Sequence, residues 1–262
     1  MNVPLIGESH YIVESFHSDC TSHLSLAVLG NQLLNTAASH AEKLGIGRQA
    51  LLERRQAWVF SRLLIQMEHY PFEFETYSIH TWIDSVSRFF SNRHFAIFDA
   101  AGKAIGYATS VWALMDLDTR QALDIAQALP DHVDCVAPEH PECPIARTTR
   151  ARVTATAPAY TFRPLFCDID YNGHFNSIRY IEHYLGALPL ELLRERPVHR
   201  FEISYSAECH YGEELAVYVS NATPDEYDLE LRKADGTVAS RAKVIFKTLP
   251  IRVDARNWRD ND

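Results

Sequence analysis

Three features of this 262-residue chain predict an α+β fold built from two similar halves, each a long helix followed by an antiparallel meander of strands. Leu26, Leu29, Leu33 and Ala37 in the first half, and Ile178, Ile181, Leu185 and Leu188 in the second, recur at the spacing of a helix that buries one face. Each helical stretch is followed by runs rich in Val, Ile, Phe, Tyr and Trp, separated by turn residues. The last hairpins also match: Ala101-Gly102-Lys103 with Ala108 beyond it parallels Asp235-Gly236-Thr237 with Ala242 beyond it.

In chain order, residues 11–16 alternate like a strand. Ser22 and His23 offer capping groups for the first helix, and Leu44-Gly45 with Gly47 stops it. Strands follow from Gln56 to Ala113, broken at Tyr70-Pro71, Asp84-Ser85 and Ala101-Gly102. Pro130, Pro138, Pro141 and Pro144 mark a connector, so the expected division is a domain at 1–129, a connector at 130–148 and a second domain at 149–262. The second half repeats the order, with strands expected at 151–162, 199–207, 214–220, 227–232 and 238–247 around a helix that starts at Ser177 and ends before Pro189. A helix wrapped by a curved antiparallel sheet is the hotdog arrangement, and two in one chain make a double hotdog.

Composition narrows the function. With 25 Lys and Arg against 34 Asp and Glu, the net charge of −9 argues against a nucleic-acid or anionic-membrane binder. No apolar run approaches the roughly 20 residues that span a bilayer, and five cysteines without close pairing fit a reducing compartment, so a cytoplasmic protein is expected. His132, Cys135, His140 and Cys143 are separated by prolines and lack tight ligand spacing, so a solvated linker is expected there rather than a metal site, and no cofactor is expected.

The chemistry-bearing stretch lies between Cys167 and Tyr180. Asp170, Asn172 and His174 alternate with Tyr171 and Gly173, so a tight loop can bring a carboxylate, an amide and an imidazole together at the start of the second helix. Asp and Asn are also ordinary turn and cap residues, and Gly173 simply allows a turn. The stretch gains weight from Glu208-Cys209 at the end of the strand expected at 199–207.

The order D-x-N-x-H-x-N, helix, strand and Glu-Cys resembles the C-terminal half of the acyl-acyl carrier protein (acyl-ACP) thioesterases of plants and bacteria. The resemblance extends to the first half through Ala57-Trp58-Val59-Phe60-Ser61-Arg62, Thr81-Trp82, Arg93-His94-Phe95 and Trp112-Ala113-Leu114. It implies hydrolysis of a fatty acyl thioester, with acyl carrier protein as partner. By the same resemblance, Glu208 is the general base on water, His174 and Asn172 position the water or the carbonyl, and Asp170 orients the loop. The amides near Phe175 and Asn176 are candidate oxyanion donors, with the Asn176 side chain structural.

The residues also leave alternatives open. Strand alternation puts Cys209, not Glu208, on the apolar face with Phe201, Ile203 and Tyr205, and a Cys209–His174 nucleophile pair competes with the general-base scheme. An acyl-CoA thioesterase, a hotdog dehydratase and a non-catalytic acyl-binding protein share the fold, and a homodimer is compatible with all of them. Trp58, Phe60, Trp82, Phe89, Phe90 and Trp112 suit an acyl pocket in the first half but equally a plain core. An acidic carrier needs a local basic surface, for which Arg147, Arg150 and Arg152, or Arg48, Arg54 and Arg55, are candidates. Asp19-Cys20-Thr21-Ser22-His23 imitates the second loop with Thr21 for Asn172, and the expected counterpart of the Glu-Cys strand, Val59-Phe60-Ser61-Arg62, offers no carboxylate.

Overall fold

The computed structural model describes residues 3–146 and 149–247. Among the described residues ten strands form one antiparallel sheet: β1 (Ile6–Ile12), β2 (Gln56–Met67), β3 (Thr76–Val86), β4 (Phe90–Asp99), β5 (Ala104–Asp116), β6 (Tyr160–Phe162), β7 (Val198–Tyr205), β8 (Leu215–Thr223), β9 (Glu226–Lys233) and β10 (Val238–Phe246). Their spatial order is β1-β3-β4-β5-β2-β7-β10-β9-β8-β6, so the two halves run outward from a β2/β7 junction in matching sequence.

The junction is symmetric. Leu64 pairs with Glu202, flanked by Leu63 with Ile203 and Ile65 with Phe201. The symmetry extends to irregularities. A register shift separates Phe60 from Arg62 opposite Trp112 and Val111, and a corresponding one separates Val198 from Arg200 opposite Phe246 and Ile245. The matched hairpins read from sequence fall in equivalent places: Ala108 opposes Ile65 and Ala242 opposes Ile203, and both turns use a glycine at positive φ, Gly102 and Gly236.

Two helices lie against the concave side, α1 (Leu26–Lys43) and the shorter α4 (Ser177–Gly186), with single-turn helices α2 (Arg48–Glu53), α3 (Ile125–Ala128) and α5 (Leu190–Glu195) at the margins. Leu29 and Leu33 of α1, Ile181 and Tyr184 of α4, Leu63 and Ile65 of β2, and Phe201 and Ile203 of β7 share one apolar core across both halves. Complete burial of an aliphatic side chain such as Leu29 contributes about 1.5–3 kcal/mol. The helices meet at Gly30, where an added Cβ would sit 3.0 Å from the Ile181 side chain and 3.2 Å from Ile178, so close approach requires the missing side chain.

Several expectations are corrected. The first strand lies at Ile6–Ile12, where it pairs with β3; residues 15–17 form a 3-10 turn, with Phe16 almost wholly exposed. Ser25, not Ser22 or His23, caps α1, its hydroxyl accepting the Val28 amide, while Ser22 occupies a left-handed turn position. Of residues 151–162 only Tyr160–Phe162 joins the sheet. The amides of Arg152, Thr154 and Ala155 go instead to the side chains of Asp228 and Ser220, which replaces a ladder. The connector is not a solvated linker throughout: His132 and Cys135 are buried, His132 against Trp58 and Ser91. His140 stacks on Trp82, and the Cys143 thiol donates to the Ala108 carbonyl, so the four candidate ligands point to separate partners. Trp82 is fully buried, whereas Phe89 and Phe90 are exposed on the β3–β4 hairpin. Among the described residues no helix is long and apolar enough to cross a membrane.

Candidate active site

The second-half loop is held from within. The Asp170 carboxylate accepts the amides of Asn172 (2.8 Å) and His174 (3.1 Å), and the Asp170 amide donates to the His174 carbonyl (2.8 Å). Gly173 at φ 80° closes the turn in a conformation that a side chain would strain. The Asn176 side chain accepts the Ile178 amide and caps α4, the structural role expected of it. The amides of Phe175 and Asn176 do not serve as free oxyanion donors: they donate to the carbonyls of Cys209 (2.7 Å) and Asp168 (2.8 Å). Anchoring the loop to the sheet has used them.

That anchoring sets His174 beside the segment that leaves β7. The sheet strand ends at Tyr205, and the amides of Ser206 and Ala207 both donate to the Ala239 carbonyl, an irregularity after which the chain turns outward. Glu208 then faces His174, with Oε2 3.5 Å from His174 Nε2, and both side chains are part-exposed. Cys209 points the other way into the apolar core, 1% exposed, with burial pushing its thiol above the ordinary range. Alternation was therefore read correctly, but the site lies at the surface end of the strand rather than in the apolar interior. The conflict between Glu208 and the inward face disappears, and a buried thiol of this kind makes a poor nucleophile.

Two neighbours were missed by sequence reasoning. Arg120, in the loop after β5, donates to Glu208 Oε1 at 2.6 Å, and no local pattern connects residues so far apart in the chain. His210 lies edge to face with His174, ring centroids 5.3 Å apart; its position two residues after Glu208 was a readable signal. The nearest ligating atoms of His174, Glu208 and His210 lie within 4.8 Å of one another, a donor set that a zinc-like cation accepts. The Arg120 guanidinium paired with Glu208 opposes a second cation there.

Asp170 thus orients the loop, His174 and Glu208 come together, and Asn172 is exposed at the loop tip. Beside them, Phe60, Trp112 and Tyr205 form a ring cluster, with Phe60 4.6 Å from Trp112 and 5.3 Å from Tyr205. The Tyr205 hydroxyl donates to the Ser177 carbonyl at the start of α4, so this apolar wall adjoins the polar loop.

The sequence pattern of the acyl-ACP thioesterase N-terminal domain matches residues 5–133, and that of the acyl-ACP thioesterase C-terminal domain matches residues 153–248. The chain belongs to the acyl-ACP thioesterase family. It is 25% identical over 245 residues to oleoyl-acyl carrier protein thioesterase 2 of Arabidopsis thaliana, covering 88% of this chain and 67% of that protein. It is 26% identical to the acyl-[acyl-carrier-protein] hydrolase FATB1 of Cuphea viscosissima, covering 89% of this chain but 59% of the relative. Both relatives are chloroplastic. A crystal structure of an acyl-ACP thioesterase from Bacteroides thetaiotaomicron superposes with a TM-score of 0.88 at 40% identity, covering 93% of this chain and 98% of that one. The 12:0-ACP thioesterase of Umbellularia californica, at 18% identity and a TM-score of 0.83, shares the fold over 94% of this chain and 98% of its own. The double hotdog architecture is thus that of the acyl-ACP thioesterases.

Proposed function

We propose that this chain hydrolyses the thioester of fatty acyl-ACP, releasing free fatty acid and the carrier protein, with Glu208 as general base. The observation that carries the reading is the meeting of His174 and Glu208 at 3.5 Å, beside an apolar wall, in a member of this family.

In this reading Glu208 takes a proton from a water held between it and His174. The oxygen attacks the thioester carbon, the C–S bond breaks as the tetrahedral intermediate collapses, and the leaving thiolate recovers the proton from Glu208. Negative charge on the former carbonyl oxygen is met by the Asn172 side-chain amide and the His174 imidazole, since the Phe175 and Asn176 amides are engaged. Asp170 keeps both groups in place through its bonds to the loop amides. Arg120 holds the Glu208 carboxylate in position from the first half of the chain.

The domain division at 1–129, 130–148 and 149–262 fits this scheme: the second unit supplies the reacting groups, and the first supplies Arg120 and the Phe60 and Trp112 rings of the apolar wall. Five free thiols, Cys20, Cys135, Cys143, Cys167 and Cys209, fit a reducing compartment such as the cytoplasm.

The deciding experiment is thiol release from acyl-ACP and from acyl-CoA of the same chain length, measured side by side on purified protein. Preference for the carrier-protein ester is expected; equal cleavage of both would make this a general acyl thioesterase, and cleavage of neither would remove the hydrolytic reading.

A further inference from the structure

A cavity of about 540 Å³ opens beside His23, the first-half counterpart of His174. The two loops share one hydrogen-bond pattern. Asp19 donates its amide to the His23 carbonyl at 2.8 Å, as Asp170 does to His174, and its carboxylate accepts the Thr21 amide at 2.8 Å, as that of Asp170 accepts Asn172. His23 bridges Phe72 as His174 bridges His210, and Leu24 donates to Pro71 as Phe175 donates to Cys209. Even the β-turn that follows is copied, for Phe72 and His210 each donate an amide to the carboxylate three residues on, Glu75 and Glu213.

The difference between the halves lies in the apolar wall. Symmetry about the Leu64–Glu202 pair gives Phe60 the counterpart Val198 and Tyr205 the counterpart Met67. At the proposed active site Phe60 and Tyr205 pack against each other at a tilt; in the first-half copy the smaller Val198 and Met67 line the cavity, with Leu26, Leu185, Leu190 and Leu193 completing its walls. The volume lies within the ~300–1,000 Å³ range of small-molecule pockets.

We propose that this cavity is a second acyl-chain site, which binds a long-chain fatty acid and does not hydrolyse it. The proposal rests on the acyl specificity of the preceding section, because the copied scaffold is what assigns an acyl chain to the cavity. Its polar rim favours a carboxylate head. The rim acids are engaged: Asp19 within its loop, and Glu182 with Arg179. Of the two rim cations, Arg196 is held by the Asp225 carboxylate and the Lys247 and Pro224 carbonyls, so the head-group contact falls to Lys247, whose partner Glu68, also on the rim, is an exposed side chain that an incoming carboxylate can displace. Hydrolysis is absent because Tyr70 occupies the place of Glu208. Its hydroxyl donates to the Val198 carbonyl at 2.8 Å, and burial pushes its ionisation well above the ordinary range, so it cannot serve as a base. The His23 ring is meanwhile tied to Thr21, Nδ1 lying 2.9 Å from the Thr21 carbonyl oxygen.

The test is calorimetric titration of the full chain with hexadecanoic acid below its micellar range, on wild type, Gly186→Phe and Leu193→Trp. Gly186 lines the cavity and has open space where a side chain would begin, so a phenyl ring there fills the cavity. The expected result is saturable binding weakened about tenfold or more in both variants, with kcat/KM on acyl-ACP within about twofold of wild type. A co-crystal of wild type with 16-bromohexadecanoic acid, which needs no variant to fold, should place bromine between Leu185 and Leu193. Unchanged affinity in variants that melt like wild type, or bromine elsewhere, overturns the proposal. So does a Gly186→Phe effect confined to KM for long-chain substrates, which would put the cavity on the substrate path. Lack of hydrolytic activity would count against the proposed function alone, because neither binding measurement depends on turnover.

Discussion

Tyr70 stands in the first half of the chain where Glu208 stands in the second: each lies two residues before the partner of the loop histidine, Phe72 for His23 and His210 for His174. The position that faces the imidazole with a carboxylate in one half holds a half-buried phenol in the other. The sequence expectation looked for the counterpart of Glu208 in the 59–62 run of β2; the bridge pairing puts Tyr70 in that place instead.

One working site out of two follows from this relationship. His174→Ala is expected to abolish hydrolysis, whereas His23→Ala should leave kcat within about threefold, with any loss showing as a lower melting temperature. Equal loss of kcat in two well-folded single variants would mean that both loops act.

Glu208→Gln should lower kcat by roughly two to three orders of magnitude, the size of a lost general base, while Cys209→Ala should retain most activity. Cys209→Ala also removes a buried side chain from beside Tyr180, so a lower melting temperature is expected. Mass spectrometry of protein quenched during turnover offers the check: an acyl group found on Cys209 would overturn the water-attack scheme.

Arg120 reaches Glu208 across the two halves at 2.6 Å. Arg120→Ala is expected to lower kcat by about tenfold with KM little changed, and Arg120→Lys to restore part of it, because a charge-assisted hydrogen bond positions the base without touching substrate. A loss confined to KM would assign Arg120 to carrier binding instead.

Of the two basic clusters expected to meet the carrier protein, Arg147 lies outside the described residues. Arg48 stacks over Tyr171 of the active loop at 4.5 Å, while Arg55 is paired with Asp118. Arg48→Glu should reduce kcat/KM on acyl-ACP, and raising salt from low ionic strength should do the same in wild type, since screening acts over about 10 Å near 0.1 M. A salt-independent rate, unaltered in Arg48→Glu, would remove Arg48 from the docking surface.

His132 is buried against Trp58 and Ser91, and desolvation pushes its pKa down to about 4. In the unfolded chain an ordinary histidine takes up a proton near pH 6.5, so below that pH the unfolded state binds more protons and stability falls on acidification. The melting temperature should therefore decline as pH drops from about 6.5 towards 4, and His132→Gln should flatten that decline. An equal slope in the variant would locate the sensitive group elsewhere.

What depends on local chemistry was legible in the chain. Helical spacing placed Leu26, Leu29 and Leu33, and Ile178 and Ile181, on buried faces, and matched glycine turns revealed the duplication. The alternation of Asp170, Asn172 and His174 marked the loop, because turn chemistry and periodicity are written in neighbouring residues. Tertiary packing set the rest: that Glu208 faces His174 while Cys209 is buried, that Arg120 joins them, that the Phe175 and Asn176 amides are engaged, and that Val198 and Met67 line a cavity while Phe60 and Tyr205 meet at the matching place. Each of these depends on where a strand leaves the sheet and on which residue of a distant segment lies opposite. That register is fixed by pairing and packing between parts of the chain far apart in sequence.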